Sequence, residues 1–234
     1  MTIQAPDPAG ATDRAAQSWS EVWLKAVTQP TVASYEDMAT RPGVSSKRAY
    51  IWVFAGSLIA TAITLVWVLL SGSPSALGQQ EGGRIAADLG TTIVVLICLA
   101  PLGGVFAILG LMITAGISQA IARALGGTGT FTQLAYLIAA YLAPLGILTS
   151  LLALVPLLNC LNLPVGVYSL FLNILAVKSV NRFSWGRAVL SSVVILAGIL
   201  LVVAVVVIVI LALLGPAIGN VFSNIIQEMG TPAP

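Results

Sequence analysis

The chain has no histidine at all, and only eight acidic and ten basic residues among its 234, so 8% of it is charged. A water-soluble domain usually carries about 25% charge, because charged side chains are what cover a water-facing surface. Eighteen charges cannot do so here, and a soluble globular enzyme is excluded. The lack of histidine removes HExxH zinc sites, Ser-His and Cys-His pairs and imidazole proton shuttles. Cys98 and Cys160 are the only cysteines, and neither stands in a CxxC or Cys/His spacing. Both read as small buried hydrophobes. No GxxxxGK[ST] loop is present for a nucleotide phosphate.

What is present is apolar: 58% of the residues are hydrophobic. Ten of the charges fall in residues 1–49, one in the last twenty, and seven in the 165 residues between. That distribution predicts an all-α polytopic membrane protein with a short polar N-terminal segment, 1–49, and a C-terminal tail, 215–234. Residues 1–12 show no periodicity and read as disordered, without the apolar core of a signal peptide, so the first true span is expected to remain in the mature protein.

Runs of about 20 apolar residues give five transmembrane helices within 50–214, at about 50–70, 91–122, 133–158, 163–177 and 188–214. Tyr50, Trp52 and Trp67 lie near the ends of the first, where amphipathic rings favour the interface. The second would be ~48 Å long at 1.5 Å per residue, so it must tilt, protrude or break, with Pro101, Gly103 and Gly104 as the kink. No Asp, Glu, Lys or Arg falls inside any of the five. A buried titratable group is what proton-coupled carriers and intramembrane aspartyl proteases require.

Arg41, Lys47, Arg48, Arg123, Lys178, Arg182 and Arg187 all fall on one side of a five-span chain, against Arg84 on the other. The positive-inside rule then predicts a cytoplasmic N-terminus and an outward C-terminus. The 71–90 connection, Gly/Ser-rich, reads as a mobile outer loop.

Ser18-Trp-Ser-Glu21 fits a capping box, and Trp19, Val22, Trp23, Ala26 and Val27 then recur at helical spacing. An amphipathic helix over about 18–28 follows. Two placements are open to it: Trp19 and Trp23 anchored in the headgroup layer, or packed on the chain's own spans. Ser34-Tyr-Glu-Asp37 predicts a second short helix, ended by Pro42-Gly43.

Small residues stand four apart in the spans: Gly56/Ala60 in the first, and Gly103/Ala107, Gly110/Thr114 and Gly116/Ala120 in the second. Such pairs let backbones approach, within the chain or against a partner. Asn173, alone in the fourth span, is placed to hydrogen-bond across helices. The cluster Gly126-Gly127-Thr128-Gly129 follows no strand and reads as a polar turn, not a phosphate cradle.

From Arg123 the chain becomes specific. ARALGGTGTFTQLAYLIAAYLAPLGIL, followed by LAVKSVNRFSWGRAVLSSVVI, resembles the Yip-domain family of Ypt/Rab-interacting membrane proteins and their prokaryotic relatives. The resemblance rests on a Gly-Gly-x-Gly-[ST]-Phe turn (Gly126, Gly127, Gly129, Thr130, Phe131) and an aromatic span with a proline (Tyr136, Tyr141, Pro144). It ends in a basic loop closing with Gly186, Arg187 and Ala188. The stretch through Pro30 and Tyr35 looks like the lead of prokaryotic members, and the resemblance covers roughly 19–214. It implies five spans, a cytosolic N-terminus and function without catalysis, by binding small GTPases or shaping membranes. The acidic Asp-Leu-Tyr-Gly-Pro-like segment expected before the first span is missing, which argues against GTPase binding.

These features predict a non-catalytic, multi-pass cell-membrane protein that works through other integral membrane proteins and lipids, as an accessory subunit or organiser. Neither a catalytic nor a metal site is predicted, nor nucleic-acid binding. No cofactor is predicted, although a bound lipid, quinone or pigment would leave no signature in the sequence. The alternatives are a facilitator or channel for a small neutral solute, lined by Ser, Thr and Asn, and a membrane-shaping or lipid-handling protein with the tryptophan helix as wedge.

Overall fold

The computed structural model describes residues 18–71, 89–155 and 157–230, all connected by helix and turn with no strand among them. The expectations of a disordered 1–12 segment and a mobile outer loop therefore lie outside the described residues, apart from the ends of that loop. The helices are α1 (Trp19–Thr28), α2 (Val32–Thr40), α3 (Ser46–Ser71), α4 (Leu89–Ala124), α5 (Phe131–Ala153), α6 (Asn162–Asn181) and α7 (Trp185–Gly230), with a 3-10 turn at Asn159–Leu161. Four stretches among the described residues are long and apolar enough to cross a membrane: Ser46–Leu70, Ile93–Ala124, Phe131–Ala153 and Asn159–Asn181. The start of α7, Trp185–Gly198, is a shorter apolar stretch.

The chain divides into two units, Met1–Ser192 and Val193–Pro234. In the first, α5 is the central element. Ten of its residues are buried, among them the unbroken run Leu134–Tyr141. α3 packs along it and along α4, and α6 lies on another side. Gly56 is what lets α3 and α5 approach: a Cβ there would stand 3.2 Å from the Cβ of Ala143. The second unit continues α7 as a single helix through Gly230, and its described side chains are Val, Ile, Leu and Ala apart from Gly198.

α4 is one continuous helix of 36 residues with Pro101 inside it. Proline in a membrane helix is tolerated where neighbouring groups take up the freed carbonyl. α5 ends at Ala153, short of the expected 158, because Pro156 disfavours helical backbone at the residue before it. α6 reaches Asn181, past the expected 177. Its Lys178 does not interrupt it, since the ammonium donates to the Phe183 carbonyl at 2.8 Å and so caps the helix end. α7 likewise runs beyond Leu214.

Two residue readings need correction. Trp52 is not an interfacial ring but fully buried, since α1 and α5 cover the face of α3 that carries it. Cys98 and Cys160 are both exposed, one on a side of α4 that no other element of the first unit covers, the other in the turn before α6.

The starts of α3, α5 and α7 and the ends of α4 and α6 gather at one end of the first unit. Contacts fix this arrangement: Ser46 Oγ lies 3.2 Å from Thr132 Oγ1, and Gly129, just before α5, meets Asn181 at the end of α6. The same end receives α1 and α2.

Candidate functional site

Among the described residues, the charged side chains of the first unit lie at that end. Its lowest layer is the Gly126–Gly129 turn. Gly126 has φ +87°, a conformation that only glycine adopts freely. Gly127 and Gly129 are required for a different reason, close approach. A Cβ on Gly127 would stand 2.5 Å from Asn181 Oδ1 and 2.9 Å from the Ala122 carbonyl. On Gly129 it would collide with Val180 Cγ1 and lie 2.8 Å from that residue's carbonyl.

The contact that demands this closeness is a buried amide network. Gly129 N–H donates to Asn181 Oδ1 at 3.1 Å, Gln119 Nε2 donates to the Gly129 carbonyl at 2.7 Å and to Asn181 Oδ1 at 3.1 Å, and Asn181 Nδ2 donates to the Val177 carbonyl at 3.1 Å. Gln119 and Asn181 are each only 3% exposed, so these bonds replace water that cannot reach them. One turn thereby joins the ends of α4 and α6 to the start of α5. Neither amide was singled out from the sequence. The available signal was a carboxamide near the end of each of two apolar helices, Gln119 in α4 and Asn181 as the last residue of α6.

Above this layer sit α1 and α2. Ser18 and Glu21 form the capping box of α1, with bonds of 3.3 and 3.1 Å. α2 is capped by Thr31, whose hydroxyl accepts from Ser34 N–H at 3.1 Å, so the helix begins before the expected Ser34. Val22 and Ala26 are buried, and α1 packs on α5. Tyr168 of α6 donates its hydroxyl to the Val27 carbonyl at 2.5 Å, and buried Tyr35 donates to the Ala26 carbonyl at 2.9 Å. Burial pushes the Tyr35 phenol far above its ordinary range. Gln133 completes the capping box of α5 with Thr130 and also donates to the Ala39 carbonyl at 3.3 Å.

An aromatic stack binds α1 to the bundle. Trp19 and Trp23 each meet Trp52 edge-on with ring centroids 6.3 Å apart, and Trp52 lies 4.8 Å from Tyr136. The Arg48 guanidinium stands over the Trp52 ring at 5.5 Å. Of the two expected interfacial anchors, Trp23 is thus half-buried against the chain's own spans and Trp19 remains 43% exposed.

Asp37 ties the two short helices together. Its carboxylate accepts from Lys25 Nζ at 2.6 Å and from Arg41 Nη2 and Nε at 2.7 and 3.0 Å. The Arg41 hydrogen bonds, with Lys25 adding to them, hold the carboxyl below its usual range against the opposing effect of burial. A cavity of about 490 Å³ opens between α2, the glycine turn and the end of α6, with Glu36 and Asp37 on one wall and Arg182 on another. Arg182 takes the left-handed position after α6, φ 54°.

The remaining predicted residues are scattered. Asn173 Nδ2 donates to the Tyr141 hydroxyl at 3.1 Å, joining α6 to α5 in the middle of the unit. Phe131 packs on the core at its edge, and Pro144 sits half-buried inside α5. Gly186 and Arg187 are exposed in the first turn of α7. On α4, the inward face is Gly104, Leu111, Ala115, Ser118 and Ala122, not the row singled out from the sequence. Gly104 packs so closely that a Cβ would meet the Phe54 ring at 2.5 Å. Gly110 and Gly116 have nothing within 4 Å, and Gly103, Gly110 and Ala120 are exposed, with Ala107, Thr114 and Gly116 half-buried. Among the described residues no three His, Cys, Asp or Glu side chains come together as a metal site would need.

Comparison with curated proteins and with solved structures returns no match. The Yip1 domain family matches residues 27–208, which includes the second short helix, the glycine turn with both its amide partners, and the beginning of α7. The chain is a multi-pass membrane protein of the Yip1 domain family.

Proposed function

We propose that this protein is a non-catalytic accessory subunit or organiser of a membrane complex, acting through helix–helix contacts with other integral membrane proteins. One observation carries the reading: some of the α4 glycines are closed by a neighbouring helix and others stand open. Gly104 is closed against Phe54, while Gly110 and Gly116 meet nothing within 4 Å. In lipid, where apolar side chains gain little from leaving the solvent, close backbone approach at small residues is what holds helices together. Open glycines on a helix where large apolar side chains, among them Phe106, Leu109 and Ile113, are also exposed suit such a contact.

In this reading the chain crosses the membrane five times, with α7 as the last span. The end bearing α1, α2 and the basic residues Arg41, Lys47, Arg48, Arg123, Lys178, Arg182 and Arg187 faces the cytoplasm, and the membrane is the cell membrane. A solute pathway has less support, since the Asn173 amide is engaged by Tyr141. Membrane wedging by α1 has less support too, because Val22 and Ala26 are buried against the chain itself.

The test is a Gly110→Leu variant purified in a gentle detergent beside a Gly104→Leu control. The first should lose its stoichiometric membrane-protein companion and keep its unfolding temperature, because the site is open. The second should lose stability, because Phe54 already occupies the space. A wild-type chain recovered only as an isolated monomer would refute the reading.

A further inference from the structure

The cavity at the α2–α6 corner is independent of the α4 surface, and charges of both signs line it. Asp37 on its wall is already compensated by Lys25 and Arg41. Glu36 and Arg182 are not. Both line the cavity, and among the described residues neither side chain pairs with the other or with any third residue. Thr40, Thr128 and Ser179 line it too, and the hydroxyls of Thr40 and Ser179 already donate to carbonyls of their own helices. The volume, about 490 Å³, lies within the range of small-molecule sites. Opposite charges that face a common space without closing on each other are complementary to a ligand that carries both signs at once.

We infer that this cavity binds a zwitterion with a primary ammonium two carbons from a phosphate, the ammonium donating to Glu36 and the phosphate accepting from Arg182 and the Thr128 hydroxyl. A guanidinium presents several N–H donors in one plane, which suits phosphate oxygens. A carboxylate accepts a hydrogen bond from an ammonium N–H, which a quaternary ammonium does not possess. Arg182, in a left-handed conformation that helix ends usually give to glycine, is among the residues that line the cavity. The ligand is borne either on a lipid, as in phosphatidylethanolamine, or free, as in ethanolamine phosphate.

The full chain in detergent would be titrated calorimetrically with O-phosphoethanolamine. In parallel, native mass spectrometry would count dioleoyl-phosphatidylethanolamine and dioleoyl-phosphatidylcholine retained from mixed micelles. Saturable binding of the free compound identifies a soluble ligand as sufficient, and retention of the ethanolamine lipid alone identifies a lipid. Either outcome supports the site, provided that Glu36→Gln and Arg182→Gln each weaken binding by about tenfold or more and the choline lipid is held at least tenfold less. The charge-swapped pair, Glu36→Arg with Arg182→Glu, should recover part of the affinity, because the ligand can reverse. Both residues are exposed and unpaired, so unfolding temperatures should not move. The inference is overturned if neither probe binds, if binding survives both single substitutions, or if the choline and ethanolamine lipids are retained equally.

Discussion

At the scale of single residues, the buried amide pair Gln119 and Asn181 joins α4, α6 and the turn before α5. Three of the four bonds it makes involve Gly129, Gln119 and the Asn181 Oδ1 at one point. Asn181→Ala would leave the Gly129 N–H and one Gln119 hydrogen without their partner in a water-poor place, a loss of about 1–3 kcal/mol. Gly129→Ala should cost a similar amount by collision with Val180, while Gly110→Ala, in open space, should be nearly neutral. Thermal unfolding of the three variants in the same detergent checks the order, and equal shifts would disprove it. The turn itself was legible in the sequence, because glycines that dense resist helix. The reason for each glycine was not, since two of the three answer to a side chain more than fifty positions away. The cysteines and Trp52 were misread for the same cause: burial depends on which face of a helix is covered, and hydropathy carries no such information when every face is apolar.

Among the elements, those with strong local signals could be read directly. The Ser18 capping box and the apolar runs are local chemistry, and the helices stand where that chemistry puts them. Boundaries set by tertiary contact were hidden. α6 outlasts Lys178 because the lysine caps its own helix end, and α2 starts at the hydroxyl of Thr31 and not at Ser34. The docking of α1 on α2 is pH-dependent in a definite sense. Asp37 has a folded-state pKa below its ordinary value, so its contribution is complete above the ordinary carboxylate range, about 3.9, and is lost as the pH falls through the depressed value. Acidification from pH 5 to pH 2 should therefore raise the acrylamide quenching of Trp19 and Trp23 in a step that begins below pH 4. Asp37→Asn should show the higher quenching already at pH 7, with that step reduced. An identical acid profile in the variant would rule out the Asp37 tie as its source.

For the whole molecule, basic residues from five separate segments meet where the helix ends gather, while the Asn159–Leu161 turn marks the opposite end. Cys160 in that turn is exposed and serves as a built-in marker. In a Cys98→Ser background, a membrane-impermeant maleimide applied to intact cells should label Cys160. A cysteine introduced by Lys47→Cys should react only after permeabilisation, and the reverse pattern would invert the proposed orientation. The charge pattern is the source of this expected sidedness, because basic residues bias how a chain is inserted, which is a property of the linear polymer.

The amide latch has a consequence in time as well as in space. It joins residue 119 to residue 129 and both to residue 181, and a ribosome delivers them in that order. Up to the end of α5 the chain holds the Gln119 bond to the Gly129 carbonyl but no partner for the Gly129 N–H, and only the arrival of α6 supplies Asn181. A chain stopped short of Asn181 keeps its apolar helices but carries an uncapped polar wound at their ends, which distinguishes an unfinished copy from a finished one.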